Sequence, residues 1–474
     1  MRIRGVLVAI ALGVAALAQG LPPSRPNVAP PVQLPLPAPG AADLAGGVPP
    51  APGTATQPLA LSLKDAIQRG LRYNLGPLLA ASAGDQARAQ RMAEVAALLP
   101  NVTASAGELR QKINLAAFGF SFPGFPALVG PFNVFQASAA ADIPVVNISA
   151  LQRARAARGL EAAAKDDYNS ARNLVVLAVA NQYLLSVADQ SRVEAAQAEL
   201  ATADSALTQA QDMLNAGTVG ALAAVRAQVQ RDRQRQQLTA QQNALAKQRL
   251  QLARAVGLPG GQAFTLTSAT PFAALEPPSA DAAVAQALAT RPDYKAAKSL
   301  IHSSELLVAA AKDRHLPTVS LDGNYGTIGH EIGSNHPIYS VGANLQMPIF
   351  SGGSIAAERL AAESQLHQAQ SRAADLRAAI DVQVRSAILD LQSNRDQVGV
   401  ARDARDLADR ELTLAQDRFK AGVADNLEVV QAQQSVADAD ENYIASLYGY
   451  NLAKASLAQA LGIAATNYSQ YLPQ

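Results

Sequence analysis

The stretch HEIGSNH, from His330 to His336, brings two imidazoles and the Glu331 carboxylate within seven residues. Imidazole nitrogen and carboxylate oxygen are ligands for a divalent metal, provided a scaffold fixes their geometry. Nothing in the neighbouring sequence does so, and the stretch reads as a solvated loop with no metal. The chain contains no Cys, so thiolate ligands, disulfides and a lipidated N-terminal Cys are all excluded. No Gly-rich phosphate loop follows a strand pattern, and neither HExxH nor GxSxG occurs. The expectation is a protein that is not an enzyme and carries no cofactor. With 39 basic against 38 acidic residues, no electrostatic footprint for nucleic acid is present.

The informative residues are instead turn formers that recur. AGTVGALAAVRAQ begins at Ala216 and AGVADNLEVVQAQ at Ala421, 205 residues later. A shift of 217 lays Ala66, Ile67 and Leu71 on Ala283, Val284 and Leu288, and Leu99-Pro100 on Leu316-Pro317. A shift of 204 lays Pro144 on Pro348, and one of 205 carries LARAVGL at Leu252 onto LAQALGI at Leu457. The landmarks keep their order, so the chain is a tandem duplication. The repeats span 61–258 and 282–463, joined by a linker at 259–281 and followed by a tail at 464–474.

Each half has the same plan. A helical region (63–98; 282–315) is interrupted once, at Pro77 or Pro292, and stops at Leu-Pro. Alternating segments follow at about 101–112 and 133–143, and at about 318–329 and 337–347. Tyr339, Val341, Ala343, Leu345 and Met347 alternate with Ser340, Gly342, Asn344 and Gln346. Such a pattern suits a transmembrane barrel strand and equally a half-buried strand of a soluble sheet. Pro144, Pro348, Gly352 and Gly353 mark the change from strand to helix. Beyond it, proline-free helical stretches of close to 66 residues would each be roughly 100 Å long, too long for a globular domain. Leu366, Ala369, Ala373, Leu376 and Ile380 step by three and four, as in a coiled-coil seam. Ala216-Gly217 and Ala421-Gly422 end these helices, placing hairpin tips at about 215–221 and 420–426.

The first 18 residues, with a basic start and an apolar run, read as a secretory signal peptide. Residues 19–60 are rich in Pro and read as an extended, disordered arm unable to bury a core. No other uncharged apolar stretch near twenty residues reads as a spanning helix, so membrane insertion would need the strands. Four strands cannot close a barrel, and an open edge in lipid costs several kcal/mol per unpaired group, so several chains would have to share one barrel. The Phe-rich segment 118–135 joins the first strand pair and reads as an aromatic belt.

LSLKDAIQRGLRYN, the two Leu-Pro steps, MPIFSGGS from Met347, RFKAG from Arg418 with NLEVVQAQ, and the closing VGL and LGI resemble the TolC family of outer-membrane efflux proteins. The likeness runs from about Leu61 to the end of the last helix. It implies a mostly α protein with a transmembrane β portion: a homotrimer with one shared 12-stranded β-barrel in outer-membrane lipid and long helical hairpins forming an α-barrel in the periplasm. It also implies a passive exit duct of a tripartite efflux or type I secretion system, served by a periplasmic adaptor and an inner-membrane pump. On the same resemblance Phe419, Glu428 and Gln431 are pore-constriction positions. Gly217, Thr218, Leu222, Gly422, Val423 and Leu427 are tip residues for the adaptor, with packing of the turn as the alternative role for Leu222 and Leu427. The rival reading is a periplasmic adaptor or structural coiled-coil protein without a membrane barrel.

Overall fold

A computed structural model describes residues 41–49, 58–119, 126–259, 261–267, 272–424 and 426–472. The signal peptide at 1–18, most of the arm at 19–60, and Phe120, Phe122 and Phe125 of the Phe-rich segment lie outside the described residues. Ahead of the first repeat lies α1 (Ala41–Leu44), and β1 (Leu59–Leu61) leads into it; the repeat then contains α2 (Leu63–Tyr73), α3 (Leu75–Ala96), β2 (Asn101–Asn114), β3 (Leu128–Val146), α4 (Ile148–Asn215) and α5 (Ala221–Ala255). After β4 (Phe264–Leu266), the second contains α6 (Ala280–Thr290), α7 (Pro292–Asp313), β5 (Thr318–Gly329), β6 (Asn335–Gln346), α8 (Ser354–Lys420) and α9 (Asn426–Ala460), with α10 (Ala464–Tyr471) closing the chain.

Three local expectations need correction. The helical breaks fall at Asn74 and Arg291 rather than at Pro77 and Pro292. Both prolines lie in the first turn of the next helix, where a missing N–H leaves nothing unpaired. Pro144 is not the strand-to-helix transition, because β3 continues to Val146. The ladder slips between Pro144 and Val146, and this irregularity accommodates the residue that cannot donate. Helix α4 then starts from Asn147, whose Oδ1 accepts from the Ala150 N–H at 2.9 Å. Finally, residues 41–49 are no free arm. Val48 N–H donates to Tyr73 O at 2.8 Å, and Leu75 N–H to Gly46 O at 3.0 Å.

The described chain divides into two compact units. One, formed by Ala87–Glu161 and His302–His367, holds an antiparallel sheet in the order β2-β3-β5-β6. Its register turns alternation into two continuous faces. One rung runs Val102, Ala141, Gly323, Val341, and the next on the same face Ala104, Ala139, Tyr325, Tyr339. Between them a rung of Thr103, Ala140, Asn324 and Ser340 points to the other side. On the apolar face Tyr339 and Val341 are 81% and 82% exposed. A face of this kind needs a cover, and among the described residues β2 and β6 have no strand partner on their outer edges.

In the other unit, Pro35–Gln86, Ala162–Ile301 and Gln368–Gln474, the two largest buried clusters correspond to each other. The first gathers Ala66, Val175, Val179, Tyr183, Leu252 and Val256. The second gathers Ala283, Ile380, Val384, Ile388, Leu457 and Leu461, the same positions shifted by 217 or 205. Duplication therefore extends to the packing. Helix α4 is, among the described residues, the one long and apolar enough by composition to cross a membrane. Its Val175, Val176, Val179 and Ala180 are buried in the first core instead. The two helix breaks also correspond: Asn74 Nδ2 donates to Ala255 O at 3.1 Å, and Arg291 Nη1 to Ala460 O at 3.4 Å. Each repeat thus locks its first helical break to the end of its return helix.

Candidate functional site

The tips are built by paired left-handed glycines. Gly217 has φ +71° and Gly422 φ +69°. Gly217 N–H donates to Leu214 O at 3.0 Å and Thr218 N–H to Met213 O at 2.9 Å. Gly422 N–H donates to Phe419 O at 3.0 Å and Val423 N–H to Arg418 O at 3.1 Å. These crossed bonds satisfy carbonyls that the helix end would otherwise orphan, and a side chain at the positive-φ position would strain them. Gly352 and Gly353, at the start of α8, also have positive φ, +59° and +87°.

The second tip carries the expected pore positions, and they separate. Phe419 is only 5% exposed and packs with Ala415, Val429 and Ala432, with Met213 of the first hairpin against them. It is a core residue of the tip, and position 419 continues the inward step from Ala415. Glu428 and Gln431 lie one turn apart on α9 and share a face. Glu428 is ion-paired, its Oε1 standing 3.0 Å from Arg418 Nε, with both side chains about half-exposed. A pair this exposed is worth about 0–1 kcal/mol, so it can be broken cheaply. Its position in the first turn of α9 also favours a carboxylate.

The adaptor candidates divide as well. The Thr218 hydroxyl donates to Met213 O at 2.9 Å and serves the cap. Leu222, Val423 and Leu427 are exposed, by 60%, 68% and 45%. Val225 stands exposed one turn beyond Leu222, extending an apolar patch. Asn426 joins the two tips, a role with no local signal in the sequence. It is buried, and its Nδ2 donates to Ala223 O at 3.1 Å, tying the second tip to the first. The one sequence sign is that its repeat mate, Ala221, lacks a polar side chain. His330 spends its Nδ1 on Ser334 Oγ at 2.9 Å within its own loop.

Residues 78–258 and 283–463 match the family described as outer membrane efflux protein. The pyoverdine export outer membrane protein OpmQ of Pseudomonas aeruginosa is 26% identical over 411 residues, 85% of each chain. The toluene efflux pump outer membrane protein TtgF of Pseudomonas putida is 24% identical over 393 residues, 79% of this chain and 78% of that protein. Among solved structures, the Campylobacter jejuni CmeC outer membrane channel aligns with a TM-score of 0.73 at 19% identity, covering 86% of this chain and 89% of that one. The open state of the Neisseria gonorrhoeae MtrE outer membrane channel gives 0.73 at 17% identity, covering 88% and 96%.

Proposed function

This chain belongs to the outer membrane efflux protein family and works as an outer-membrane exit duct reaching into the periplasm, and from that premise we propose that three copies close one duct. The observation that carries the trimer is the sheet: an apolar outer face with open edges at β2 and β6. Lipid tolerates only closed sheets, and three sets of four strands give the even number that a barrel needs. Helix α8 supports the same assembly. Val382 and Leu389, then Val400, Leu407 and Leu414, are exposed at steps of seven, a seam suited to a neighbouring helix.

Outer-membrane efflux factors work with adaptor proteins and inner-membrane pumps, and their relatives are channels rather than enzymes. The adaptor of this chain docks on the apolar tip patch of Leu222, Val423 and Leu427. Because no native Cys is present, Val423→Cys supplies a single crosslinking handle. Capture of a periplasmic adaptor in transporting cells is expected; transport without any capture would place docking elsewhere. The names of the relatives, pyoverdine export and toluene efflux, favour small organic molecules as cargo.

Three copies of Glu428 constrict the duct, each balanced by its Arg418 partner. The pairing sharpens the expected result of a substitution. Glu428→Ala leaves Arg418 uncompensated, so single-channel records in planar bilayers should lose cation preference and move towards anions. Arg418→Ala should move them the other way. Unchanged selectivity in both variants would remove this pair from the constriction.

A further inference from the structure

A second group of charges, remote in sequence from the tips, joins the two hairpins. Glu199 on α4 borders a cleft of about 530 Å³ that is also lined by α5 and α9. From α9 come Asp438, Asp440 and Glu441; from α5 come Arg233 and the buried amides of Gln230 and Gln234. The nearby cations are already committed. Arg192 of α4 holds Asp189 and Glu441, each at 2.8 Å. Arg405 of α8 holds Asp440 at 2.6 Å and lies over the Tyr443 ring. Arg233 is exposed and makes no ion pair with Glu199. Glu199 therefore meets two carboxylates from the other hairpin without a cation of its own. Burial first, then Asp440 and Asp438, push its carboxyl up to about 7.

We propose that this seam is a proton-controlled latch: with Glu199 protonated α9 rests against α4, and with Glu199 ionised its repulsion from Asp438 and Asp440 loosens α9. The latch is a property of the hairpins and needs no assumption about what the duct carries. The direction follows from linkage. A carboxyl that binds its proton more tightly when folded stabilises the folded seam at low pH. That contribution falls as pH rises from the ordinary value of 4.5 to about 7, and above that the seam stays loosened.

Hydrogen exchange read by mass spectrometry on the full chain in detergent tests the latch. Peptides covering 434–444 are compared with core peptides covering 175–183, after correction for intrinsic exchange. Between about pH 5.5 and about pH 8 the wild-type 434–444 segment should speed up about tenfold more than the core. Glu199→Gln should abolish that excess. Asp438→Asn removes one repelling charge and should move the midpoint to lower pH. A wild-type protein without the excess, or Glu199→Gln keeping all of it, overturns the latch. Should Glu199→Gln fail to fold, an unmoved midpoint in Asp438→Asn overturns it by itself.

Discussion

Val341→Arg should abolish assembly in the outer membrane, whereas Ser340→Arg, one residue away, should leave the trimer intact. Val341 sits near the middle of β6 on the apolar face, in the rung with Gly323 and Ala141. An arginine on the lipid face near the bilayer midplane costs about 2–4 kcal/mol, and three copies would bring about 6–12 kcal/mol to one barrel. That is comparable with the whole net stability of a typical folded protein, about 5–15 kcal/mol. Ser340 pairs with Asn324 on the polar face, where an added charge meets water and changes selectivity. The readouts are membrane fractionation and a trimer band on unboiled gels. The opposite pattern, with Ser340→Arg lost and Val341→Arg assembled, would mean that the faces are inverted.

Arg291→Ala should destabilise the helical unit by about 3–5 kcal/mol, the usual cost of breaking a buried ion pair from one side. Arg291 is buried at the break between α6 and α7. It donates to both oxygens of Asp293, at 3.1 and 2.6 Å, to Gln383 Oε1 at 2.7 Å and to Ala460 O at 3.4 Å. Its loss leaves Asp293 facing Asp167, which burial, Asp166 and Asp293 already raise to about 6. The pH dependence has a definite sign. Asp167 takes a proton more readily when folded, so stability declines as pH climbs from the ordinary 3.8 towards about 6. The defect of Arg291→Ala should therefore be larger at about pH 7.5 than at about pH 5. Asn74→Ala, the matching change in the first repeat, removes neutral hydrogen bonds and should cost about 1–3 kcal/mol. Melting of the helical signal at both pH values measures all of this. A defect in Arg291→Ala no larger than in Asn74→Ala would show that the charge is not what matters there.

The helix pair, the alternating segments and the glycine-ended tips were all legible in the sequence because each is a local or periodic signal. Gly217 and Gly422 announce a left-handed cap whatever surrounds them, and a period of two reads the same before and after pairing. The division of roles at the tip was not legible. Phe419 and Glu428 both stand at positions the family resemblance marked for the pore, yet one is buried against Met213 and the other is paired with Arg418. Those partners come from another helix or the other repeat, so only the packing of α8, α9 and the first hairpin could assign them. The same holds for Asn426, for the residues around Gly46 and Val48, and for Glu199. In each case the deciding neighbour is far away in sequence, and the energy depends on a distance of a few ångströms. The chain by itself determined a duplicated plan of paired strands and a long helical hairpin. The tertiary structure decided which charges meet, because Coulomb and hydrogen-bond energies act between atoms that only folding brings close.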